Sequence, residues 1–236
     1  MSSDLLQDKL EAFVFNSTQN FDKVNGFYHS LTVAYNTRII FENDAKIYEL
    51  SKQYPTMYFI ANICSWLHGV RDYKYSKRCI SEKILDDFII EIANENGFEP
   101  HELLIIIKMI INNISFYKES HSLCDVIVEP YSYILDVVRD ANRLDAIGEV
   151  GINRAILYAE TYGFGVPEDV ILYCHKKLMR LYPEGYFKTE YAIFLAKPLH
   201  QYVAKYVEKH DDSSYIIVEN ENWYGFMSNF LSKFNF

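Results

Sequence analysis

The chain has 236 residues, half of them hydrophobic and 16% aromatic, with a formal net charge of -9. That length supports one large core or two small ones, and the acidic balance excludes a general nucleic-acid coat, which requires concentrated lysine and arginine. Mean hydropathy is -0.11, and no apolar run reaches the roughly 18–20 residues that a membrane span needs. The opening MSSDLLQDKLEAF lacks a basic stretch followed by an apolar one, so no secretory signal is expected. Cys64, Cys79, Cys124 and Cys174 are scattered, with no CxxC and no zinc-knuckle spacing, and read as reduced thiols of a cytoplasmic protein. Heavy use of Asn, Ile, Lys, Tyr and Phe is what an AT-rich genome writes, which points to a parasite or a virus.

Residues 4–15 place Leu5, Leu6, Leu10, Phe13 and Val14 on one helical stripe. A polar loop follows to residue 25, and a second helix is predicted from Phe27 to Glu42. Residues 47–50 and 54–70 are helical in pattern, interrupted near Pro55. Ser81 opens a helix over 84–94 that Asn96-Gly97 stops. Pro100, His101 and Glu102 start an apolar helix over 103–113. Residues 115–130 read as a loop, 131–148 and 151–162 as helices, and TYGFGVPED as a turn-rich break. Residues 169–181 and 190–208 are amphipathic helices, the second kinked or interrupted by Pro198. Tyr215–Val218 is the one candidate strand, so the chain is all-α. Trp223, Phe226, Met227, Phe230, Leu231 and Phe234 then recur at helical spacing. The domain is expected over 1–208, with an aromatic C-terminal extension over 209–236 that packs on the domain or on a partner.

The chemistry concentrates in SWLHGVRDYKY, residues 65–75, where an apolar approach delivers His68 and then Asp72 and a Tyr-Lys-Tyr cluster. YHSLTVA carries His29, and VVRDANRLDAIGEVGINRA carries Asp140, Asn142, Arg143 and Asp145. In this order and spacing, with HKKLMRL and FKTEYAIFLA closing the chain, these segments resemble the HD-domain phosphohydrolases, in particular stand-alone bacterial members. The resemblance covers nearly the whole chain up to about Glu208. It implies an HD-domain helical bundle in which a His, a His-Asp doublet and a distant Asp hold a divalent metal that activates water and neutralises a phosphate.

The departures fall on the ligands. The doublet reads His68-Gly69, so its carboxylate is missing, and the distant ligand position is Asn142, a neutral amide. The extra histidines of some members would fall near Met109 and Ile114, which are apolar. Asp140, Arg143 and Asp145 remain as helix-positioning or supporting groups, or as local ion pairs on one helix. Hard cations need oxygen ligands and charge balance, so no resident metal and no catalytic residue are expected. His29 and His68 leave room only for weak zinc or nickel binding. The expectation is a degenerate HD domain acting as a non-enzymatic binding or regulatory factor. The scaffold is also similar to the dormancy factors that occupy empty ribosomes in microsporidian parasites, which implies a macromolecular partner, the ribosome with its protein and RNA.

Lys176, Lys177, Arg180, Tyr186 and Lys188 form a basic-aromatic stretch able to touch phosphates and stack on bases, and with Trp223, Phe226 and Phe230 are the candidate partner-binding residues. The same stretch also reads as the solvated face of amphipathic helices. Two rival readings stay open: a divergent nucleotide phosphohydrolase in which Asp72 or Asp140 supplies the missing oxygen ligand, and an inactive domain that grips a nucleotide in a pocket lined by His29, His68 and Arg143. No GxSxG and no glycine-rich phosphate loop occur, and Cys64 lies in an apolar run that raises a thiol's pKa, so a nucleophilic enzyme is not expected.

Overall fold

The structure is a computed structural model that describes residues 3–21, 26–71 and 79–211. Helices α1 (Ser3–Ser17), α2 (Phe27–Asn43), α3 (Ala45–Gln53) and α4 (Met57–Leu67) come first, followed by α5 (Glu82–Asn96), α6 (Pro100–Ile111) and the short α7 (Phe116–Ser120). Helices α8 (Tyr131–Ala146) and α9 (Gly148–Tyr162) lead to α10 (Glu168–Tyr173), a π-helical turn (Cys174–Leu178), α11 (Met179–Leu181) and α12 (Glu190–His210). Among the described residues there is no strand, and no helix is long and apolar enough to cross a membrane. The all-α expectation holds, with α7 appearing inside the predicted 115–130 loop. The candidate strand and the aromatic stripe from Trp223 to Phe234 lie outside the described residues.

Helix α4 is the centre because it is apolar nearly all round, the pattern of a helix enclosed on every side. Met57, Ile60, Ala61, Ile63, Cys64, Trp66 and Leu67 are all buried. It packs against α1, α2, α6 and α8. Burial pushes the Cys64 thiol up, as its apolar run implies. Helix α1 closes one side through Leu6, Leu10 and Val14, spaced four apart.

Local signals set the ends. The Ser81 hydroxyl accepts from the Ile84 amide and opens α5, and Gly97, at φ 74°, closes it. Pro100 occupies the first turn of α6, where its missing N–H costs nothing. The tight corner from α8 to α9 requires Gly151, since a Cβ there would lie 2.0 Å from the Ala146 carbonyl oxygen.

Helix α12 is tied down at its N-terminus by two buried carboxylates. Asp140 on α8 accepts from the Thr189 amide (2.7 Å), the Lys188 amide (2.9 Å) and the Thr189 hydroxyl (2.9 Å). Asp44, which also caps α3 through the Ile47 amide, accepts from the Tyr191 amide at 2.9 Å. Unpaired amides and the positive end of the helix dipole make this the place where buried negative charge is best tolerated. The helix then runs on through Pro198, so of the expected kink or interruption the interruption does not occur. The carbonyl that proline leaves without a donor belongs to Phe194, 70% exposed, so water can take it.

Candidate active site

Helices α2 and α4 meet through a buried hydroxyl contact. The Thr37 and Ser65 hydroxyls lie 2.6 Å apart, and Ser65 also donates to the Ala61 carbonyl at 2.7 Å. This contact fixes the register of the pair, so that His29, near the start of α2, faces His68, which caps the end of α4. The imidazole centroids are 4.9 Å apart with the rings at 72°.

Each ring is held through Nδ1. His29 Nδ1 donates to Asp145 Oδ2 at 2.6 Å, and His68 Nδ1 donates to the Ser65 carbonyl at 2.7 Å. The two Nε2 atoms therefore face each other at 3.0 Å with both Nδ1 positions committed as donors. Two lone pairs at that distance need something electrophilic between them, a proton or a metal cation. The separation is also that of neighbouring nitrogens on a transition metal with bonds of about 2.0–2.1 Å. The two imidazoles are thus set to share one electrophile.

Among the described residues no carboxylate faces the two Nε2 atoms as a further ligand. Asp145 sits behind His29, on the Nδ1 side, and also accepts from the Arg154 guanidinium on α9. Asp140 is spent on α12. Asn142 lies half-buried one turn before Asp145, and Gly69 has no side chain to offer. Among the described residues, no three of His, Cys, Asp and Glu form a group able to hold a metal ion. Asp72 lies outside the described residues. Two imidazoles alone do not fit a hard catalytic cation, which takes oxygen ligands.

Arg143 corrects the sequence reading twice. It pairs with neither Asp140 nor Asp145, and it does not line the imidazole centre. Its guanidinium donates to the Tyr186 carbonyl and to Glu119, a half-buried partner that the sequence did not flag. The residue missed at the centre is Arg154. It was inside the matched GINRA segment, and a cation following an acidic motif on the next helix was its only signal.

Asp145 is the electrostatic hinge of the centre. Burial alone would raise its pKa, but the hydrogen bond from His29, the Arg154 charge and the two imidazoles together hold it below the usual carboxylate range. A depressed folded pKa contributes stability that is present above the unfolded value, about 3.9, and is lost as pH falls through the folded value. Asp145→Asn should therefore lower stability at neutral pH by about 3 kcal/mol, the cost of breaking a buried pair. It should also flatten the acid limb of a urea-unfolding series taken from pH 6 to pH 2.

Three of the candidate partner residues, Lys177, Arg180 and Tyr186, come together around Phe116. Lys177 lies 5.8 Å from the Phe116 ring centroid and Arg180 lies 5.7 Å from it. Tyr186 meets Phe116 edge-on at 4.8 Å. Lys176 and Lys188 are exposed nearby in sequence, and Arg180 is already paired with Glu184 at 2.8 Å. Trp223, Phe226 and Phe230 lie outside the described residues. His200 stacks on Tyr182 at 5.4 Å with its Nδ1 buried.

No family model matches the sequence. An 84-residue stretch, 34% of the chain, is 38% identical to YpgQ, an uncharacterised protein of Bacillus subtilis, and spans 40% of that protein. The crystal structure of YpgQ superposes with a TM-score of 0.63 at 22% identity, covering 91% of this chain and 98% of YpgQ. An HD-superfamily hydrolase from Bacillus thuringiensis superposes with a TM-score of 0.59 at 21% identity, covering 90% and 98%. The fold is that of the HD superfamily. A Lactobacillus plantarum protein shares it, with a TM-score of 0.66 at 19% identity over 90% of this chain and 98% of that one. YpgQ is also known as a complex with ADP.

Proposed function

We propose that this HD-fold chain is a non-catalytic binding protein whose His29–His68–Arg154 centre holds the phosphate of a nucleotide without hydrolysing it. The observation that carries the reading is the fate of the α8 acids: Asp140 caps α12 and Asp145 backs His29, while Arg154 stays partly exposed at 21% of its side chain. With a proton held between the two Nε2 atoms the histidine pair carries one positive charge, and with Arg154 offset by Asp145 the described residues of the centre are net cationic. An anion is the complementary ligand. The ADP complex of YpgQ supports a nucleotide in particular. A zinc or nickel ion would find two nitrogens there and would be held weakly.

The test is calorimetric titration with ADP and ATP alongside a phosphate-release assay. Binding without release is expected, and Arg154→Gln should weaken it at least about tenfold, the loss of one charge-assisted hydrogen bond. Metal-dependent turnover that His68→Ala abolishes would overturn the reading.

A macromolecular partner such as the ribosome is a second reading, favoured by the convergence of Lys177, Arg180 and Tyr186 on Phe116. Co-sedimentation with ribosomes that is lost in Lys176→Glu/Lys188→Glu would support it, and absence from the ribosomal pellet would remove it.

A further inference from the structure

Helix α2 turns Ser30, Val33, Ala34, Thr37, Ile40 and Phe41 into the core, as a helix packed on α4 and α8 requires. On its opposite side Tyr28, Leu31, Tyr35 and Arg38 follow at intervals of three, four and three residues, the spacing of a heptad seam. All four are open to solvent. Tyr28 is 75% exposed, Tyr35 54% and Leu31 37%, and the Arg38 side chain is 54% exposed. Arg38 lies 5.5 Å from the Tyr35 ring centroid, so the stripe ends in a cation already set among its rings. At the other end the patch continues onto α1. Phe27 meets Tyr28 edge-on at 5.7 Å, and the exposed Phe15 meets Phe27 edge-on at 5.6 Å. Single exposed apolar side chains are ordinary, but a contiguous run of them marks an interaction surface.

The order of residues along the stripe identifies what fits it. Laid antiparallel on itself about a two-fold axis between Leu31 and Tyr35, it sets Tyr28 against Arg38 of the second copy and Leu31 against Tyr35 of the second copy. Each end is then a cation on an aromatic face, and the middle is ring against aliphatic. No like charges oppose each other, whereas a parallel pairing would bring Arg38 onto Arg38. The formal net charge of -9 on each chain acts mainly at long range and is screened at physiological salt. Aromatic side chains bury about 150–250 Å² each, so the partly exposed patch can cover about 500 Å² per copy, short of the roughly 800 Å² of a standard interface. The pairing is therefore weak and reversible, with dissociation in the range of about 10–100 μM.

We propose that a second copy of this chain docks on the exposed face of α2, the two helices running antiparallel about a two-fold axis between Leu31 and Tyr35. The contact uses residues outside the anion centre and is independent of what that centre binds.

Sedimentation equilibrium of the full chain over about 2–200 μM, at salt near about 0.15 M, tests it. A reversible monomer–dimer equilibrium is expected. Leu31→Glu sets a carboxylate against the Tyr35 ring at the middle of the seam and should weaken association at least about tenfold. Tyr28→Arg opposes two guanidinium groups and should do the same. The exchange Tyr28→Arg/Arg38→Tyr restores a cation on a ring at both ends, and association should return to within about threefold of native. All these positions face solvent, so far-UV circular dichroism and the melting midpoint should match the native chain. Recovery in the exchanged chain is a result that neither a misfolded domain nor unregistered apolar association could give. A native chain that stays monomeric throughout the range, a dimer indifferent to Leu31→Glu, or an exchanged chain no stronger than Tyr28→Arg alone would each overturn the proposal.

Discussion

Gly69→Asp together with Asn142→Asp should convert the centre into one that retains a divalent metal, with affinity raised by at least about 100-fold. The imidazole geometry is already in place: the Nε2 atoms lie 3.0 Å apart and both rings are fixed through Nδ1. The backbone can accept the new side chain, because among the described residues a Cβ on Gly69 meets nothing nearer than the Ser30 hydroxyl at 3.9 Å. Groups that only support metal ligands are worth about 10–100-fold in affinity, so two direct carboxylate ligands set the larger figure as a floor. Metal content after expression with added Mn, Fe, Ni and Zn is the measurement. A filled double variant beside a largely empty native chain is the expected pair, with His68→Ala emptying the variant. Near-stoichiometric metal in the native chain would show that a ligand such as Asp72 completes the site.

Asp140→Ala should be the most destabilising single change among the acids of α8. It strips a buried acceptor from the Lys188 amide, the Thr189 amide and the Thr189 hydroxyl at once. Each buried donor left unsatisfied costs about 1–3 kcal/mol, so a loss of about 4 kcal/mol is expected, a large part of the roughly 5–15 kcal/mol that holds a domain folded. In a chain of this size that corresponds to a fall in Tm of about 8–16 °C. Asp140→Asn keeps an acceptor and should cost less than half as much. Burial pushes the Asp140 carboxyl up to about 7 against the pull of the Thr189 amide, Arg143 and the Lys188 amide. Because the folded pKa is raised, the folded domain holds this proton more tightly than the unfolded chain. Native stability measured against Asp140→Asn should therefore decline as pH rises from about 4 to 7. Thermal melts of the three proteins across that range decide both points.

The helical architecture was legible because apolar spacing reports directly on which side of a helix is enclosed. The run from Met57 to Leu67 named the central helix, and Gly97 and Pro100 marked real boundaries. The histidine pair was legible only as a resemblance, since nothing local to His29 or His68 says that the two rings meet. What could not be read were the roles of the acids and bases on α8. Asp140, Arg143 and Asp145 lie within two turns of each other, yet their partners come from the loop before α12, from α7, and from α2 and α9. Such assignments depend on which surface each side chain meets after folding, and a one-dimensional pattern holds no record of that. Arg154 was invisible for the same reason. Pro198 misled because its penalty depends on whether water can reach one carbonyl, a property of the folded surface.

The 21 residues of α12 make a rod about 30 Å long, pinned at one end by Asp44 and Asp140 and carrying the root of the C-terminal segment at the other. The rod acts as a lever. A tilt of about 5° at the pinned end moves the far end by about 3 Å, the length of a hydrogen bond, and that is enough to part His175 from Asp211. The direction in which α12 delivers Asp211 is thus set at its start by Asp44 and Asp140 and held along its length by the buried Ala192, Ala196, Val203 and Val207.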